Sequence, residues 1–265
     1  MIVAGLQLDL AWEDPEENFG RVRPLAERAA RAGARLLVLP EMFATGFTMR
    51  AEAVAPLAGR TREFLASLAC DLGAWVLGGY AEPGRERPRN GCSLFDPEGR
   101  ERLHYQKIHP FSLAGEHEHY EGGSAVATCE VEGVRVTPFI CYDLRFPEIF
   151  RAMADATDLY PVIANWPSLR GHAWRTLLLA RAIDCQAWVL GVNRVGEAQG
   201  RHHSGDSALI DPMGAVVASV AERPGVLLGE VDPAEVARLR ERFGFLADRR
   251  PEVYRRLIGS DPPAE

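Results

Sequence analysis

Short apolar runs alternate with segments of helical periodicity along the first part of the chain. Residues 2–8 are apolar and partly β-branched, which predicts a buried strand. The continuous apolar run of residues 36–39 indicates a second strand, covered on both faces. Between them we predict a helix that is capped by Asn18 and ended by Gly33, with an apolar face made of Val22, Leu25, Ala26, Ala29 and Ala30.

The same alternation of strand and helix patterns recurs further along the chain. It predicts helices over residues 60–73, 146–154 and 174–184, and strands over residues 75–80, 134–140, 159–164 and 187–192. A repeated strand, helix, strand order is typical of α/β proteins. We therefore expect one α/β domain over residues 1–265, built on a mixed sheet or on two packed sheets. The proline-rich end after about residue 256 is predicted to be a tail.

An Asp-Pro-x-Gly turn preceded by apolar residues occurs once in each half of the chain. The first spans residues 96–99 and the second spans residues 211–214; in both, proline presets the turn and glycine closes it. This repeat fits two related halves that each combine parallel strands with a hairpin. It fits equally well two unrelated hairpins that share common turn chemistry.

Composition and charge narrow the class of protein. Of the 265 residues, 47% are hydrophobic and 25% are charged, which provides for a large core and argues against disorder. The formal net charge of −7 argues against nucleic acid and anionic membranes as partners, because both require a clustered basic surface. We find no leader peptide, no run of about 20 apolar residues and no CxxC pair. These features predict a soluble, cytoplasmic protein.

Cys141 stands where a predicted strand meets a predicted helix. The strand of residues 136–140 ends directly before it, and the helix signal begins within residues 142–148. A turn of this kind exposes a side chain above the sheet and directs backbone N–H groups toward it. A thiol there can be activated by nearby bases, so Cys141 is a candidate nucleophile. The alternative is a buried cysteine that only packs, which is our interpretation of Cys70, Cys92, Cys129 and Cys185.

Two charged residues also occupy informative positions. Glu41 follows residues 36–39, at the carboxyl end of a buried strand, where open α/β sheets place their ligands. Burial of a carboxylate is costly unless it is paired or functional, although a helix cap or a surface charge remains the alternative for Glu41. Lys107, within residues 104–110, is a weak signal by itself, because most lysines are solvated surface charges.

The motifs around these residues resemble the three signatures of the nitrilase-like carbon–nitrogen hydrolase family. They are Leu39-Pro40-Glu41-Met42-Phe43, Tyr105-Gln106-Lys107-Ile108-His109 and Ile140-Cys141-Tyr142-Asp143-Leu144-Arg145-Phe146-Pro147-Glu148. Their order and approximate spacing match the family as well. Further similar motifs are Asn90-Gly91-Cys92-Ser93, Arg181-Ala182-Ile183-Asp184 and Gly205-Asp206-Ser207, so the resemblance extends from residue 2 to about residue 255.

The resemblance implies an αββα sandwich that assembles into a dimer or a larger oligomer, without a metal or an organic cofactor. It also implies a role for each residue of the triad. Glu41 would be the general base, and Cys141 would attack the amide carbon to form a thioester and release ammonia. Lys107 and the backbone N–H of Tyr142 would bind the developing oxyanion. Two neighbouring carboxylates would keep the lysine charged.

The second carboxylate has two candidates. Family members carry a further glutamate between the lysine and the cysteine, and this sequence offers Glu116 and Glu118. The family's usual interval from the cysteine favours Glu116, and the other glutamate would then belong to an acidic loop. The neighbouring histidines His109, His117 and His119 raise a metal site as an alternative, but the spacing lacks the HExxH pattern of a zinc-binding helix.

Within the family, residues 114–120 and 164–167 most resemble the bacterial omega-amidase branch. Those enzymes deamidate the terminal amide of short dicarboxylic monoamides such as 2-oxoglutaramate and 2-oxosuccinamate, so a small amide that carries a carboxylate is the predicted partner. A carbamoyl-amino-acid hydrolase or a nitrilase is the alternative of the same class. A non-catalytic binding protein and a thiol redox protein built around Cys141 are alternatives of other classes, although a redox protein would need a resolving cysteine.

Three residues are candidates for contact with the substrate. Arg145 could hold a carboxylate through two parallel hydrogen bonds, or it could form an ion pair with Asp143 or Glu148. Asn165 and Trp166 follow the predicted strand of residues 159–164 and could close the pocket at the carboxyl edge of the sheet. For Trp166, packing in the core is the alternative.

Overall fold

The computed structural model describes residues 1–259 of the chain. Its strands are β1 Ile2–Gln7, β2 Leu36–Val38, β3 Trp75–Glu82, β4 Arg89–Phe95, β5 Glu101–Gln106, β6 Cys129–Val131, β7 Val134–Val136, β8 Phe139–Ile140, β9 Leu159–Ala164, β10 Trp188–Asn193, β11 Val195–Ala198, β12 Arg201–Ser204, β13 Ser207–Ile210, β14 Val216–Val220 and β15 Gly225–Glu230. Its α-helices are α1 Pro15–Arg31, α2 Ala51–Val54, α3 Ala58–Leu72, α4 Glu116–His119, α5 Pro147–Ala152, α6 Gly171–Cys185, α7 Pro233–Arg242 and α8 Pro251–Gly259. Short 3-10 helices include Ser112–Ala114, Cys141–Arg145 and Ser168–Arg170.

Two mixed sheets form the centre of the fold. One has the strand order β15-β1-β2-β3-β4-β5, and the other has the order β14-β13-β10-β9-β7-β6, with β8 also paired to β9. Side chains of β2 alternate between two apolar layers: Leu36 and Val38 pack between the sheets, while Leu37 packs under α1 and α3. Helix α6 packs on the outer face of the second sheet through Leu178. These layers form the predicted αββα sandwich.

The two halves of the chain repeat one topology. In the first half β1, β2 and β3 pair in parallel, and β4 and β5 then pair antiparallel. In the second half β8, β9 and β10 pair in parallel, and β13 and β14 then pair antiparallel. The Asp-Pro-x-Gly turns join β4 to β5 and β13 to β14, the equivalent hairpins. The matching strand order supports two related halves rather than two unrelated hairpins.

The first helix begins earlier than predicted, and Asn18 does not cap it. Asp14 is the N-cap, its side chain accepting the Glu17 N–H at 3.1 Å, and Pro15 occupies the first helical position, where its missing N–H is no loss. Asn18 is buried, and its amide instead bonds the backbone of Ala11 and Ala44. The prediction was wrong because Asn18 ties the helix to neighbouring loops rather than to its own first turn.

The predicted strand of residues 134–140 is interrupted, because β7 ends at Val136 and β8 begins at Phe139. Pro138 lies in the gap, where it has no N–H to donate to a ladder. At the other end of the chain, α8 continues to Gly259, past the predicted start of the tail, and residues 260–265 lie outside the described residues. No helix within residues 1–259 is long and apolar enough to cross a membrane.

Candidate active site

Cys141 lies at a sharp turn between β8 and a 3-10 helix. Its φ is 47°, in the left-handed region that side chains other than glycine rarely adopt. Such a backbone directs the side chain out of the sheet and into the cavity, which Cys141 lines while remaining 9% exposed. The strand-to-helix position predicted from the sequence is therefore present, and its helix is a single 3-10 segment rather than an α-helix.

Asp143 holds this turn in place. Its buried carboxylate accepts hydrogen bonds from the Ile140 N–H at 3.2 Å, the Tyr105 hydroxyl at 2.8 Å and the His109 N–H at 3.0 Å. The ring of His109 contributes a further contact to the same carboxylate and stacks on Phe146 at 3.6 Å between centroids. The residues that flank Cys141 are thus bonded to β5 and to the loop that follows it, which fixes the thiol relative to Lys107.

Glu41 follows β2 and is fully buried. Its Oε1 accepts from Lys107 Nζ at 2.9 Å and from Asn90 Nδ2 at 2.7 Å, and its Oε2 accepts the Asn165 backbone N–H at 2.8 Å. Asn165 also donates from its side-chain amide to the carbonyl oxygen of Glu41 at 2.5 Å. A carboxylate with this many donors is tolerated in an apolar interior, and its orientation is fixed.

Gly79 in β3 gives the Glu41 backbone the space it needs. A Cβ at this position would lie 2.7 Å from Ile163 Cδ1 and 3.0 Å from Glu41 Cα, both closer than ordinary contacts. Any side chain here would push the loop that carries Glu41 away from β3. The close approach of backbones at the end of β2 therefore requires glycine.

Lys107 is enclosed between two carboxylates. Its ammonium donates to Glu41 and to both oxygens of Glu116, at 2.8 and 3.1 Å for the latter. Burial favours the neutral amine, but the negative charges of Glu116 and Glu41 outweigh it and raise the Lys107 pKa well above its ordinary value. Burial is also the largest cause that raises the pKa of Glu116. The structure brings Glu116 to the lysine, whereas Glu118 is exposed.

Asn90 at the start of β4 completes the polar cluster. Its side-chain N–H groups reach Glu41 Oε1 at 2.7 Å and Glu116 Oε1 at 2.9 Å. The amide nitrogen thereby joins the two carboxylates. The amide oxygen of Asn90 is buried and has no hydrogen-bond partner. The hydrogen bond from Asn90 opposes the rise in the pKa of Glu116, and the two bonds together fix the separation of the carboxylates.

The electrostatics of the cluster keep the thiol protonated at rest. Burial is the largest cause that raises the pKa of Cys141 well above its ordinary value, the negative charge of Glu41 adds to it, and Lys107 opposes it. A protonated thiol is a poor nucleophile, so the site needs a base that removes its proton as it attacks. Of the two carboxylates in the cluster, Glu41 affects the pKa of the thiol more strongly than Glu116 does.

A cavity of about 170 Å³ opens over Cys141. Tyr142, Arg145, Asn165 and Trp166, all predicted from the sequence, line it. Tyr142 is the second residue of the 3-10 helix, and the first N–H groups of a helix have no acceptor within it. Aromatic and arginine side chains from separate segments complete the wall, namely Trp12, Phe47, Phe111, Arg170 and Arg201.

Arg145 and Trp166 contact each other on this wall, with the guanidinium 5.1 Å from the ring centroid. Within residues 1–259 Arg145 forms no ion pair with Asp143 or Glu148, in contrast to the alternative considered from the sequence. Trp166 is both packed and pocket-lining: it is 4% exposed, and its indole N–H donates to the Arg170 carbonyl at 2.9 Å. Asn165 lines the cavity while it bonds Glu41, so it joins the pocket to the buried cluster.

The three histidines that raised a metal site as an alternative have different surroundings. His109 bonds Asp143, and His117 and His119 are exposed on α4. In the described part of the chain, no group of three or more histidine, cysteine, aspartate and glutamate side chains is arranged to hold a metal ion. The five cysteines are all free thiols.

Some important residues were not given a role from the sequence. Asn90 and Asp143 stood within matched motifs, and their position there was the available signal. Gly79 stood in a predicted strand, where an internal glycine signals close backbone approach. Arg170 and Arg201 carried no signal, since neither belongs to a motif and surface arginines are common.

Comparison with known proteins agrees with this geometry. The family model described as carbon–nitrogen hydrolase matches residues 2–241. The chain is 37% identical to the omega-amidase YafV of Escherichia coli strain K12 over 90% of this chain and 92% of that protein. It is 31% identical to the 2-oxoglutaramate amidase of Bacillus subtilis strain 168 over 95% and 98% of the two chains.

A solved structure gives the same result. XC1258 of Xanthomonas campestris, a carbon–nitrogen hydrolase superfamily protein with an arsenic adduct in its active site, superposes with a TM-score of 0.89 at 33% identity. The match covers 94% of this chain and 97% of that one. Sequence, sandwich architecture and the arrangement of Glu41, Lys107 and Cys141 lead to one conclusion: this chain belongs to the carbon–nitrogen hydrolase family.

Proposed function

We propose that this protein is an omega-amidase, a cysteine amidohydrolase that releases ammonia from the terminal amide of small dicarboxylic monoamides. One observation carries the proposal: Asn165 joins the buried cluster of Glu41, Lys107 and Glu116 to a cavity whose wall contains Cys141 and unpaired arginines. The cluster suits acyl transfer through a thiol, and the arginines suit an acyl group that ends in a carboxylate.

The first half of the reaction forms a thioester. Glu41 takes the proton of the Cys141 thiol while the sulfur attacks the amide carbon, because the raised pKa of the thiol leaves little thiolate at neutral pH. The carbonyl oxygen becomes an oxyanion that accepts from Lys107 and from the Tyr142 backbone N–H. When the C–N bond breaks, the nitrogen takes the proton from Glu41 and leaves as ammonia.

The second half of the reaction repeats these roles with water. Glu41 removes a proton from a water molecule, whose oxygen attacks the thioester carbon. The C–S bond then breaks, the acid product forms, and the proton returns to the Cys141 sulfur. Glu116 keeps Lys107 charged throughout, and each oxyanion donor of this kind contributes about 3–4 kcal/mol to the transition state.

The proposed substrates are 2-oxoglutaramate and 2-oxosuccinamate. Two relatives at 37% and 31% identity bear the names omega-amidase and 2-oxoglutaramate amidase, and both match nearly the whole chain. The pocket offers Arg145 on the face of Trp166, which positions a planar guanidinium for bidentate contact with a carboxylate. A cavity of about 170 Å³ limits the acyl group to a few carbon atoms.

We also propose a homodimer in the cytoplasm. The family resemblance supports the dimer, and the five free cysteines support a reducing compartment. Sedimentation of the purified protein tests the first point, and fractionation of the producing cells tests the second.

The test of function is ammonia release from five substrates. We expect 2-oxosuccinamate and 2-oxoglutaramate to be turned over far faster than a neutral amide, a nitrile or a carbamoyl amino acid, with Cys141→Ala inactive on all. Turnover of only one of the last three would keep the thiol mechanism and overturn the substrate. Inactivity of the wild type on all five would contradict the enzymatic proposal and support a binding protein.

A further inference from the structure

Three guanidinium groups on the cavity wall have no anionic partner. Arg145 lies 5.1 Å from the centroid of Trp166, and Arg170 lies 5.1 Å from the centroid of Phe111. Arg201, in β12, lines the same cavity. Within residues 1–259 none of the three takes part in an ion pair, and no aspartate or glutamate lines the cavity.

This excess of cations differs from the rest of the molecule. The chain carries a formal charge of −7, so acidic side chains outnumber basic ones overall. Some partly buried arginines elsewhere pair with carboxylates, as Arg89 does with Glu121 at 2.7 Å and Arg135 with Asp158 at 2.6 Å. Arg240 donates instead to backbone carbonyls. The cavity differs in that three arginines line it together without a carboxylate, so a ligand that carries carboxylates can supply their counter-charges.

The segments that carry Arg170 and Arg201 are tied to each other. Ser168, in the same 3-10 helix as Arg170, donates from its hydroxyl to the His202 carbonyl at 2.9 Å, one residue after Arg201. The hairpin of β11 and β12 is fixed further by the ring of His203, whose Nδ1 donates to the Arg201 carbonyl at 3.1 Å. Both arginines are therefore presented on connected, bonded segments rather than on independent loops.

The arginines also affect one another. Burial lowers the pKa of Arg170 from its ordinary value, and the positive charges of Arg201 and Arg145 act in the same direction. Arginine nevertheless stays charged at neutral pH, so the repulsion persists until an anion enters. One substrate carboxylate can satisfy one guanidinium fork, which leaves the remaining two without a partner.

We propose that Arg170 and Arg201 form a second carboxylate subsite beside Arg145, so that the preferred ligands of this pocket are amides carrying two carboxylates. The inference rests on the proposed amidase function and deepens it. The additional carboxylate belongs either to a branched acyl group or to the amine that leaves. Both sources present the same chemistry to the two arginines, and substrates distinguish them.

The test compares three amides. Succinamate carries one carboxylate, the terminal monoamide of tricarballylic acid carries two on its acyl group, and N-succinylglycine carries its second on the amine. We expect kcat/KM of the wild type to be about tenfold higher for at least one two-carboxylate amide than for succinamate, as one charged hydrogen-bond pair suggests. Arg170→Gln and Arg201→Gln should each remove most of this preference, and Arg201→Lys should keep part of it.

A matched control removes an equal charge elsewhere. Arg223 is exposed, lies outside the cavity wall and has no ion pair within residues 1–259, so Arg223→Gln should leave the preference intact. A wild type that prefers succinamate would overturn the subsite, as would arginine variants that lose equal activity on all three amides. Turnover of 2-oxoglutaramate in that case would preserve the proposed function.

Binding measurements test the subsite independently of catalysis. Calorimetry with Cys141→Ala should show the favoured two-carboxylate amide binding about tenfold more tightly than succinamate, with the difference lost in the double variant Cys141→Ala/Arg201→Gln. Equal affinities for the two amides would contradict the subsite. An active wild type with equal affinities would show that only this inference has failed.

Discussion

Two regions of the site differ in how their charges are paired: the inner end, which is the buried cluster of Lys107, Glu41 and Glu116, and the outer wall, which is the lining of the cavity. At the inner end, Lys107, Glu41 and Glu116 are almost completely buried, and each charge contacts an opposite one within 3 Å. On the outer wall, Arg145 and Arg201 are exposed and Arg170 is half-buried, without anionic partners among residues 1–259. The inner charges are bonded to one another before a substrate arrives, whereas the outer ones have no anionic partner without it.

This difference separates two tasks. Buried, mutually bonded charges are preorganised, so they stabilise the transition state without rearrangement, and a change in any one leaves an uncompensated charge. Exposed cations are screened by water and interact with whatever anion enters, so they govern which substrate is selected. We therefore expect substitutions at the inner end to remove activity on every substrate and those on the wall to change preference.

The largest effects should come from the proposed nucleophile and base. Cys141→Ala should abolish ammonia release, and Glu41→Gln should lower kcat by about 10²–10⁴-fold, because the amide cannot accept the thiol proton. Circular dichroism and thermal melting would serve as controls for folding. Activity of Cys141→Ala near that of the wild type would exclude the thioester mechanism.

Replacement of Lys107 should affect both activity and stability. In Lys107→Met, Glu41 and Glu116 lose their shared cation, and a broken buried pair typically destabilises by about 3–5 kcal/mol. Burial already raises the pKa of Glu116 and the charge of Lys107 opposes that rise, so in Lys107→Met the folded-state pKa of Glu116 should rise further above its unfolded value. The loss of stability relative to the wild type should then become smaller as the pH falls, which urea unfolding at pH 5 and pH 8 would measure. A pH-independent deficit would contradict this electrostatic cause.

The inner end was predictable because its chemistry is local to motifs. Glu41 and Cys141 each follow an apolar strand, and such positions are visible in a single sequence. Lys107 also stands out in the composition, because it is the only lysine among the 30 lysines and arginines of the chain. A compact ammonium fits between two carboxylates where a guanidinium fork does not, so a chain otherwise confined to arginine retains lysine here.

The outer wall was less predictable because it is assembled from distant segments. Arg170 and Arg201 come from a 3-10 helix and a hairpin whose mutual contact depends on the Ser168–His202 hydrogen bond. No periodicity encodes that contact. The Asn18 cap failed for a similar reason, since its bonds to Ala44 are tertiary. The strands β1, β2, β3, β9 and β10 were predicted because their apolar runs are themselves the cause of burial.

Arg145→Lys should give an intermediate effect that distinguishes the two regions. The substitution keeps the charge and removes the fork that makes two parallel hydrogen bonds, so kcat/KM for 2-oxoglutaramate should fall about 10–100-fold. A neutral amide should lose much less. Glu41→Gln is the comparison, because it should reduce both substrates equally. Equal losses for Arg145→Lys would remove its carboxylate role.

The smallest effect concerns stability near the wall, where two adjacent histidines should respond to pH with opposite signs. His203 is buried, which lowers its pKa to about 4 from 6.5. The unfolded chain then binds more protons between these values, so His203 stabilises fully above pH 6.5 and loses its contribution, on the order of 2 kcal/mol, as the pH falls toward 4.

His202 is exposed, and hydrogen bonds to Glu197 and Glu222 raise its pKa, so its contribution is present below pH 6.5 and is lost as the pH rises. Thermal melts of His203→Asn and His202→Asn against the wild type, from pH 4 to 8, should therefore diverge in opposite directions, and parallel curves would show that neither ring is coupled to folding.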